Sequence, residues 1–158
     1  MPIEDHRKPP YRPYLCMIVK NESAVIERCL NSLAPYVNGC YIHDTGSSDD
    51  TIEKIKAHSV FQNVENYGLF DQQNPPPSVV EQVPWKDMGH NRSEVIKAAR
   101  EHLGGVGYIL MFDADDIMMA PPDGWLWPKL DKDSQMLQLW SGRSAWWRHQ
   151  VFSAAKPW

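Results

Sequence analysis

With 158 residues, the chain is long enough for one domain with its own hydrophobic core and short for two. Its hydrophobic fraction of 42% and charged fraction of 23% are ordinary for a globular protein, and a net charge of -4 gives no electrostatic footprint for nucleic acid. The cysteines, Cys16, Cys29 and Cys40, show no Cys-x-x-Cys spacing and sit in apolar segments, so buried free thiols and a reducing, cytoplasmic setting are expected. No segment approaches the length that spans a bilayer, and the N-terminus lacks the apolar run of a secretory signal.

Residues 1–13 carry Pro2, Pro9, Pro10 and Pro13 and read as an extended leader. Leu15 to Val19 is a continuous apolar run, the first strand. Lys20-Asn21-Glu22-Ser23 ends it, with Asn21 or Ser23 able to cap a helix whose inner face is Val25, Ile26, Cys29, Leu30 and Leu33. After Pro35 comes the second strand, Cys40 to His43, which closes a βαβ unit expected to be parallel and right-handed. Asp44 to Thr51 is a turn with Gly46 for tight curvature and Ser47, Ser48 and Asp49 as caps for a helix over about 50–58. Val60 to Asn66 reads as a weaker third strand, and residues 68–86, with four prolines, as a long irregular loop. Asn91 with Glu94 resembles the capping box of a third helix, whose apolar face is Val95, Ile96, Ala99 and Leu103 and which Gly104-Gly105 stop.

Tyr108 to Phe112 is the run most suited to a strand buried on both faces. Asp113, Asp115 and Asp116 stand at its end, where open α/β sheets bind ligands. In a strand, Asp113 and Asp115 would point to the same side, and two oxygen ligands there suit Mg²⁺ or Mn²⁺ that also holds substrate phosphates. An acidic turn that only solvates the strand end is the simpler alternative. Beyond it the chain is rich in tryptophan, and Met136 to Trp140 and Trp146 to Phe152 read as two strands of a hairpin across Ser141 to Ser144. After Asp133 there is no acid, while Arg143, Arg148 and Lys156 add positive charge.

Four motifs now stand in order: Val19-Lys20-Asn21-Glu22 at the end of the first strand, Asp44 to Thr51 at the end of the second, His90-Asn91-Arg92 at a helix start, and Asp113-Ala114-Asp115-Asp116 at the end of the central strand. Together they resemble glycosyltransferase family 2 over residues 14 to about 120. The resemblance implies a GT-A-like, Rossmann-type α/β/α sandwich with a mostly parallel sheet and a Trp-rich C-terminal hairpin. It divides the chain into a leader (1–13), a nucleotide-sugar-binding α/β domain (14–120) and a partial acceptor-side segment (121–158). Its implied activity is transfer of a sugar from a nucleotide-diphosphate donor, UDP-sugar favoured, to a glycan, lipid-linked or protein acceptor with inversion. Carried over to this sequence, Lys20, Asn21 and Glu22 lie beside the nucleoside, Asp44 bonds the base edge, and Arg92 approaches the base or diphosphate. Asp113, followed by Ala114, contacts the ribose, and Asp115 ligates Mn²⁺ or Mg²⁺. Asp49 belongs to the same turn in the family pattern, in a binding or a structural role, and Asp116 either supports the site or begins the next turn.

The family pattern does not extend to a catalytic base. Asp123, Asp131 and Asp133 are the only later acids, none in a matching context, so the base stays unassigned and the acceptor half reads as short. His43, His90 and His149 are candidate metal ligands, though isolated histidines are more often structural. The tryptophans are read as packing or as a surface for self-association before sugar stacking. The alternative reading of the whole chain is a nucleotide-sugar-binding remnant or an interaction scaffold without efficient transfer.

Overall fold

The computed structural model describes residues 12–65, 76–119, 127–128, 130 and 131–158. The expected leader therefore lies almost wholly outside the described residues, as do Asp123 and Trp125. The elements are β1 (Tyr14–Val19), α1 (Ile26–Leu33), β2 (Cys40–Asp44), α2 (Thr51–Ala57), α3 (Ser59–Gln62), β3 (Val79–Gln82), α4 (Met88–His102), β4 (Tyr108–Met111), β5 (Ser134–Ser141) and β6 (Ser144–Ser153).

They build one sheet in the order β3-β2-β1-β4-β6-β5. The β3, β2, β1 and β4 strands run parallel, and β6 and β5 join through antiparallel pairings. Alternation along β1 sorts the core into two layers. Leu15, Met17 and Val19 face α1 and α2, packing with Ile26, Leu30, Ile42, Ile55 and Leu110. Tyr14 and Cys16 face α4, packing with Tyr41, Val95, Ala99, Ile109 and Met111. The result is the expected α/β/α sandwich with a mostly parallel sheet. All three cysteines are free and buried. Among the described residues no helix is long and apolar enough to cross a membrane.

Several local expectations are corrected. No strand forms over 60–65: Ser59–Gln62 is a single helical turn, capped by His58, whose Nδ1 accepts from the Val60 N–H at 3.1 Å. The third strand lies instead at Val79–Gln82, inside the stretch expected to be irregular, where it adds to β2 as an edge. Neither Asn21 nor Ser23 caps α1, whose N-cap position is Val25 with no side-chain bond. The cap of α4 is Asp87, accepting from His90 N–H at 2.8 Å, so Asn91 and Glu94 form no capping box. Asn91 is buried and ties down the preceding loop through Lys86 N–H and the Pro84 carbonyl.

One glycine is fixed by the packing at the start of β1. Gly39 has φ of +81°, and a Cβ there would stand 2.7 Å from the Tyr14 ring, whose hydroxyl donates to the Pro77 carbonyl at 2.8 Å. Left-handed backbone and overpacking together make Gly39→Ala cost about 2 kcal/mol. Urea unfolding should show the midpoint falling at unchanged slope.

Candidate functional site at the carboxyl ends of β1, β2 and β4

The strand order reverses about β1, which has β2 on one side and β4 on the other. This is the position where open α/β sheets leave a crevice for ligands. The loops after β1, β2 and β4 meet there.

The first two are stitched together. Asn21 adopts the left-handed conformation at φ 53°, its N–H donates to Ser47 Oγ at 2.8 Å, and its Oδ1 accepts from Ser48 N–H at 2.8 Å. Glu22 N–H donates to Thr51 Oγ1 at 2.9 Å. Asp49 accepts from Ser23 N–H through Oδ2 and from the Thr51 N–H and hydroxyl through Oδ1. Those bonds favour the charged carboxylate and hold the Asp49 pKa below its ordinary value, the Thr51 hydroxyl contributing most. The Asn21 side chain and Asp49 are therefore structural clamps, while Lys20 and the Glu22 carboxyl are left at the rim.

Asp44 is fully buried at the end of β2. Its Oδ2 accepts from the N–H groups of Gly46 and Ser47 at 3.1 and 3.0 Å. Its Oδ1 is buried with no hydrogen-bond partner among the described residues. Buried carboxylate oxygens are nearly always satisfied, so this atom calls for a donor. His43, one residue earlier, points to the opposite face, with both ring nitrogens buried and without hydrogen-bond partners among the described residues. Burial lowers its pKa, favouring the neutral ring. His90 gives its backbone N–H to the α4 cap and His149 Nδ1 meets Ser134 Oγ at 2.8 Å.

After β4, Phe112 N–H still bonds the Cys16 carbonyl, but the chain then turns, with Asp116 N–H donating to the Asp113 carbonyl at 3.1 Å. The expectation that Asp113 and Asp115 project together from a strand is thus corrected: they belong to a tight turn. The Asp113 carboxylate, about a third exposed, reaches toward α4 and β6. Its Oδ1 accepts from Arg92 Nη2 on α4, and its Oδ2 from Arg148 Nη2 on β6 at 3.3 Å. Arg92 and Asp113 form an ion pair. Ala114 is buried in the core, and Asp115 is exposed at the tip, its carbonyl held by Arg28 Nη2 at 3.2 Å. The Cys29 thiol, which burial pushes up to about 12, stays neutral 3.6 Å from the Asp113 carbonyl and can donate to it.

The electrostatics are those of gathered carboxylates. Glu22 titrates above its ordinary value, from burial first and then from Asp115, Asp49 and Asp113. Asp116 is also raised, by burial and then by Asp113 and Asp115, with Arg148 and Arg92 opposing. Among the described residues no three His, Cys, Asp or Glu side chains come together to hold a metal by themselves. The donor set instead fits a hard cation bound through one or two carboxylates and completed by phosphate oxygens and water. Among the described residues the Asp115 carboxylate is exposed at the tip of the turn and makes no ion pair.

A pH dependence follows from Glu22 and Asp116. A carboxyl raised on folding takes its proton in the folded chain before the unfolded chain does. Each contributes stability below its ordinary value that is lost as pH rises through the raised value. The double variant Glu22→Gln, Asp116→Asn should lack this acid-side gain. Urea unfolding at several pH values between about 4 and 7 would show the two stability curves converging toward the acid end, with wild type falling below the variant as pH rises.

Arg148 is a residue that the structure brings to this turn and that sequence reading missed; only its place in a basic tail was visible. A surface cleft of about 610 Å³, lined by Tyr41, Ile52, Lys56 and Val79 to Gln82, runs along β3 and contains none of the expected site residues. In the tail, Asp131 pairs with Lys132 and Asp133 with Lys156.

The chain is 29% identical over 126 residues to the SPbeta prophage-derived glycosyltransferase SunS of Bacillus subtilis (strain 168), a match covering 79% of this chain and 24% of that one. The same values hold for glycosyltransferase SunS of Bacillus phage SPbeta. The chain thus spans about a quarter of the length of these curated relatives. Among solved structures it is similar to glucosyl-3-phosphoglycerate synthase of Mycobacterium tuberculosis, at 20% identity and a TM-score of 0.43 over 70% of this chain and 36% of that one. A second crystal structure of that synthase, in complex with Mn²⁺, UDP and glucosyl-3-phosphoglycerate, gives 18% and 0.41 over 68% and 35%. The family model described as glycosyl transferase family 2 matches residues 14–134, most of the chain and beyond the turn that carries Asp115. The chain belongs to glycosyl transferase family 2.

Proposed function

We propose that this domain binds a nucleotide-diphosphate sugar, UDP-sugar favoured, with Mn²⁺ or Mg²⁺, and transfers the sugar with inversion to a glycan, lipid-linked or protein acceptor. The observation that carries the reading is the gathering of four carboxyls at the strand-order reversal: Glu22 and Asp116 raised, Asp113 paired with two arginines, and Asp115 exposed at the tip of the turn. In this reading Asp44 Oδ1 accepts from the base edge, which answers its missing partner. Glu22 and Asp113 face the ribose, with Lys20 at the rim, and Asn21 and Ala114 shape the loops that carry them. Asp115 would hold the cation, and the cation when bound neutralises charge on the leaving diphosphate. Arg92 adds fixed positive charge on the same side, and the packed turn keeps both groups oriented before the donor arrives. The acceptor hydroxyl forms its bond to the anomeric carbon as the bond to the diphosphate oxygen breaks, and the hydroxyl proton passes to a carboxylate base to which no residue of this chain is assigned.

The ion pairs at Asp131 and Asp133 favour a second reading, donor binding without efficient transfer, because they engage the two described acids that follow the turn. Incubating the domain with UDP-glucose and Mn²⁺, with and without an acceptor glycan mixture, and following phosphorus resonances separates the two. Release of UDP supports transfer or its hydrolytic side reaction. Unchanged UDP-glucose, bound but intact, supports the second reading, and no binding contradicts both.

A further inference from the structure

We propose that Arg148, on the C-terminal hairpin, is a diphosphate-sensing residue that turns from Asp113 to the phosphates of the donor. The inference rests on the donor-binding reading above. It begins with strand register. Tyr108 pairs with Ser153 and Leu110 with Val151, and continuing that antiparallel register past β4 sets Asp113 opposite Arg148. The hairpin thereby delivers a cation to the turn that carries Asp115.

Asp113 does not need this second cation. Arg92 already engages its Oδ1, and one guanidinium neutralises one carboxylate. Arg148 takes the other oxygen at 3.3 Å, and its Nε is held by Gln150 Oε1 at 3.0 Å. Gln150 is 2% exposed, so this bond fixes the guanidinium plane from a buried anchor. A guanidinium has five N–H donors in a planar fork, more than these two bonds employ. Fork geometry matches phosphate oxygens bidentately, which an ammonium does not. Arg148 remains about a third exposed, so the fork has an open side. A pre-oriented arginine with spare donors, paired to a carboxylate that has another partner, can change acceptor without stranding a buried charge.

The consequence is selectivity for the diphosphate over the nucleoside. Titration calorimetry with Mn²⁺ would compare uridine, UMP and UDP on wild type, Arg148→Gln, Arg148→Lys and, as a control in the hairpin turn, Arg143→Gln. Arg148→Gln should weaken UDP about ten- to hundredfold, the range of a hydrogen bond to a charged group, and leave uridine unchanged. Arg148→Lys should recover part of the loss, and Arg143→Gln should match wild type. Equal weakening of uridine and UDP would overturn the proposal, because Arg148 would then only prop Asp113. Unchanged UDP affinity in a cooperatively melting Arg148→Gln would overturn it as well. If the glutamine variant does not fold, the lysine variant decides between the same outcomes. Wild type that binds neither nucleotide nor nucleoside would instead remove the donor-binding reading itself, and this inference with it.

Discussion

Asp113→Ala is expected to lose donor binding and to lower stability together. Among the described residues, this carboxylate joins the β4 turn to both α4 and β6 through ion pairs, with Arg92 on one oxygen and Arg148 on the other. All three side chains are about a third exposed, so each pair is worth no more than about 1 kcal/mol on its own. Removing Asp113 breaks both and leaves two half-buried guanidiniums facing each other, so the loss should reach about 2 kcal/mol. In a domain of this size that lowers the melting temperature by about 4–8 °C. Binding should fall further, by about a hundredfold, because the proposed ribose contact goes and Arg92 loses the carboxylate that orients it. Asp113→Asn, which keeps one acceptor oxygen, should fall between. Differential scanning calorimetry with nucleotide titration checks both halves. A variant that melts with wild type and binds UDP equally would show that the two-arginine arrangement has no energetic role.

The second large effect is in the core. Leu110 is fully buried near the end of β4, paired to Leu15 on one side and Val151 on the other. It lies in the layer beneath α1, where the parallel strands and the antiparallel hairpin share one packed surface. Leu110→Ala removes three carbons and leaves a cavity with little room to collapse between two hydrogen-bonded neighbours, so the cost should be about 3–4 kcal/mol. Met119→Ala, at an exposed position, should be nearly neutral. Leu110 does not touch the carboxylates, so the variant should bind nucleotide normally below its melting temperature. Chemical unfolding gives the first quantity and calorimetry of binding the second. A loss under about 1 kcal/mol would mean that β4 is not the shared centre of the sheet.

The strands that carry the site were legible because burial on both faces leaves continuous apolar runs, as in Leu15 to Val19 and Tyr108 to Phe112. The hairpin was legible from β-favouring residues around Ser141-Gly142. Val79–Gln82 was hidden because an edge strand needs only one partner, and its last two residues are exposed and polar. Val60 and Phe61 look like a strand start, but His58 caps a helical turn there, and local side-chain bonding outweighed propensity. Asn91 reads as a cap by residue type, yet Asp87 holds the extended backbone that a cap requires, and Asn91 is spent on the loop before it. Of the candidate site, Asp44, Arg92, Asp113 and Asp115 were proposed through the resemblance, each at a strand or helix end. The pairing of Arg92 with Asp113 was not, since the two are far apart in sequence. Arg148 was least visible, because only the β4–β6 register brings it to the turn.

A cation-dependent nucleotide site built on Asp115 is tested most directly by thermal unfolding of wild type and Asp115→Ala with UDP, each with Mn²⁺ and with chelator. UDP at about a hundred times its dissociation constant should stabilise wild type by about 2.7 kcal/mol with Mn²⁺, a shift of several degrees, and much less with chelator. Asp115→Ala should melt with wild type in the absence of ligand, because Asp115 is exposed, and should lose the Mn²⁺-dependent shift. A shift that survives in Asp115→Ala, or no shift in wild type, would contradict a site of this kind.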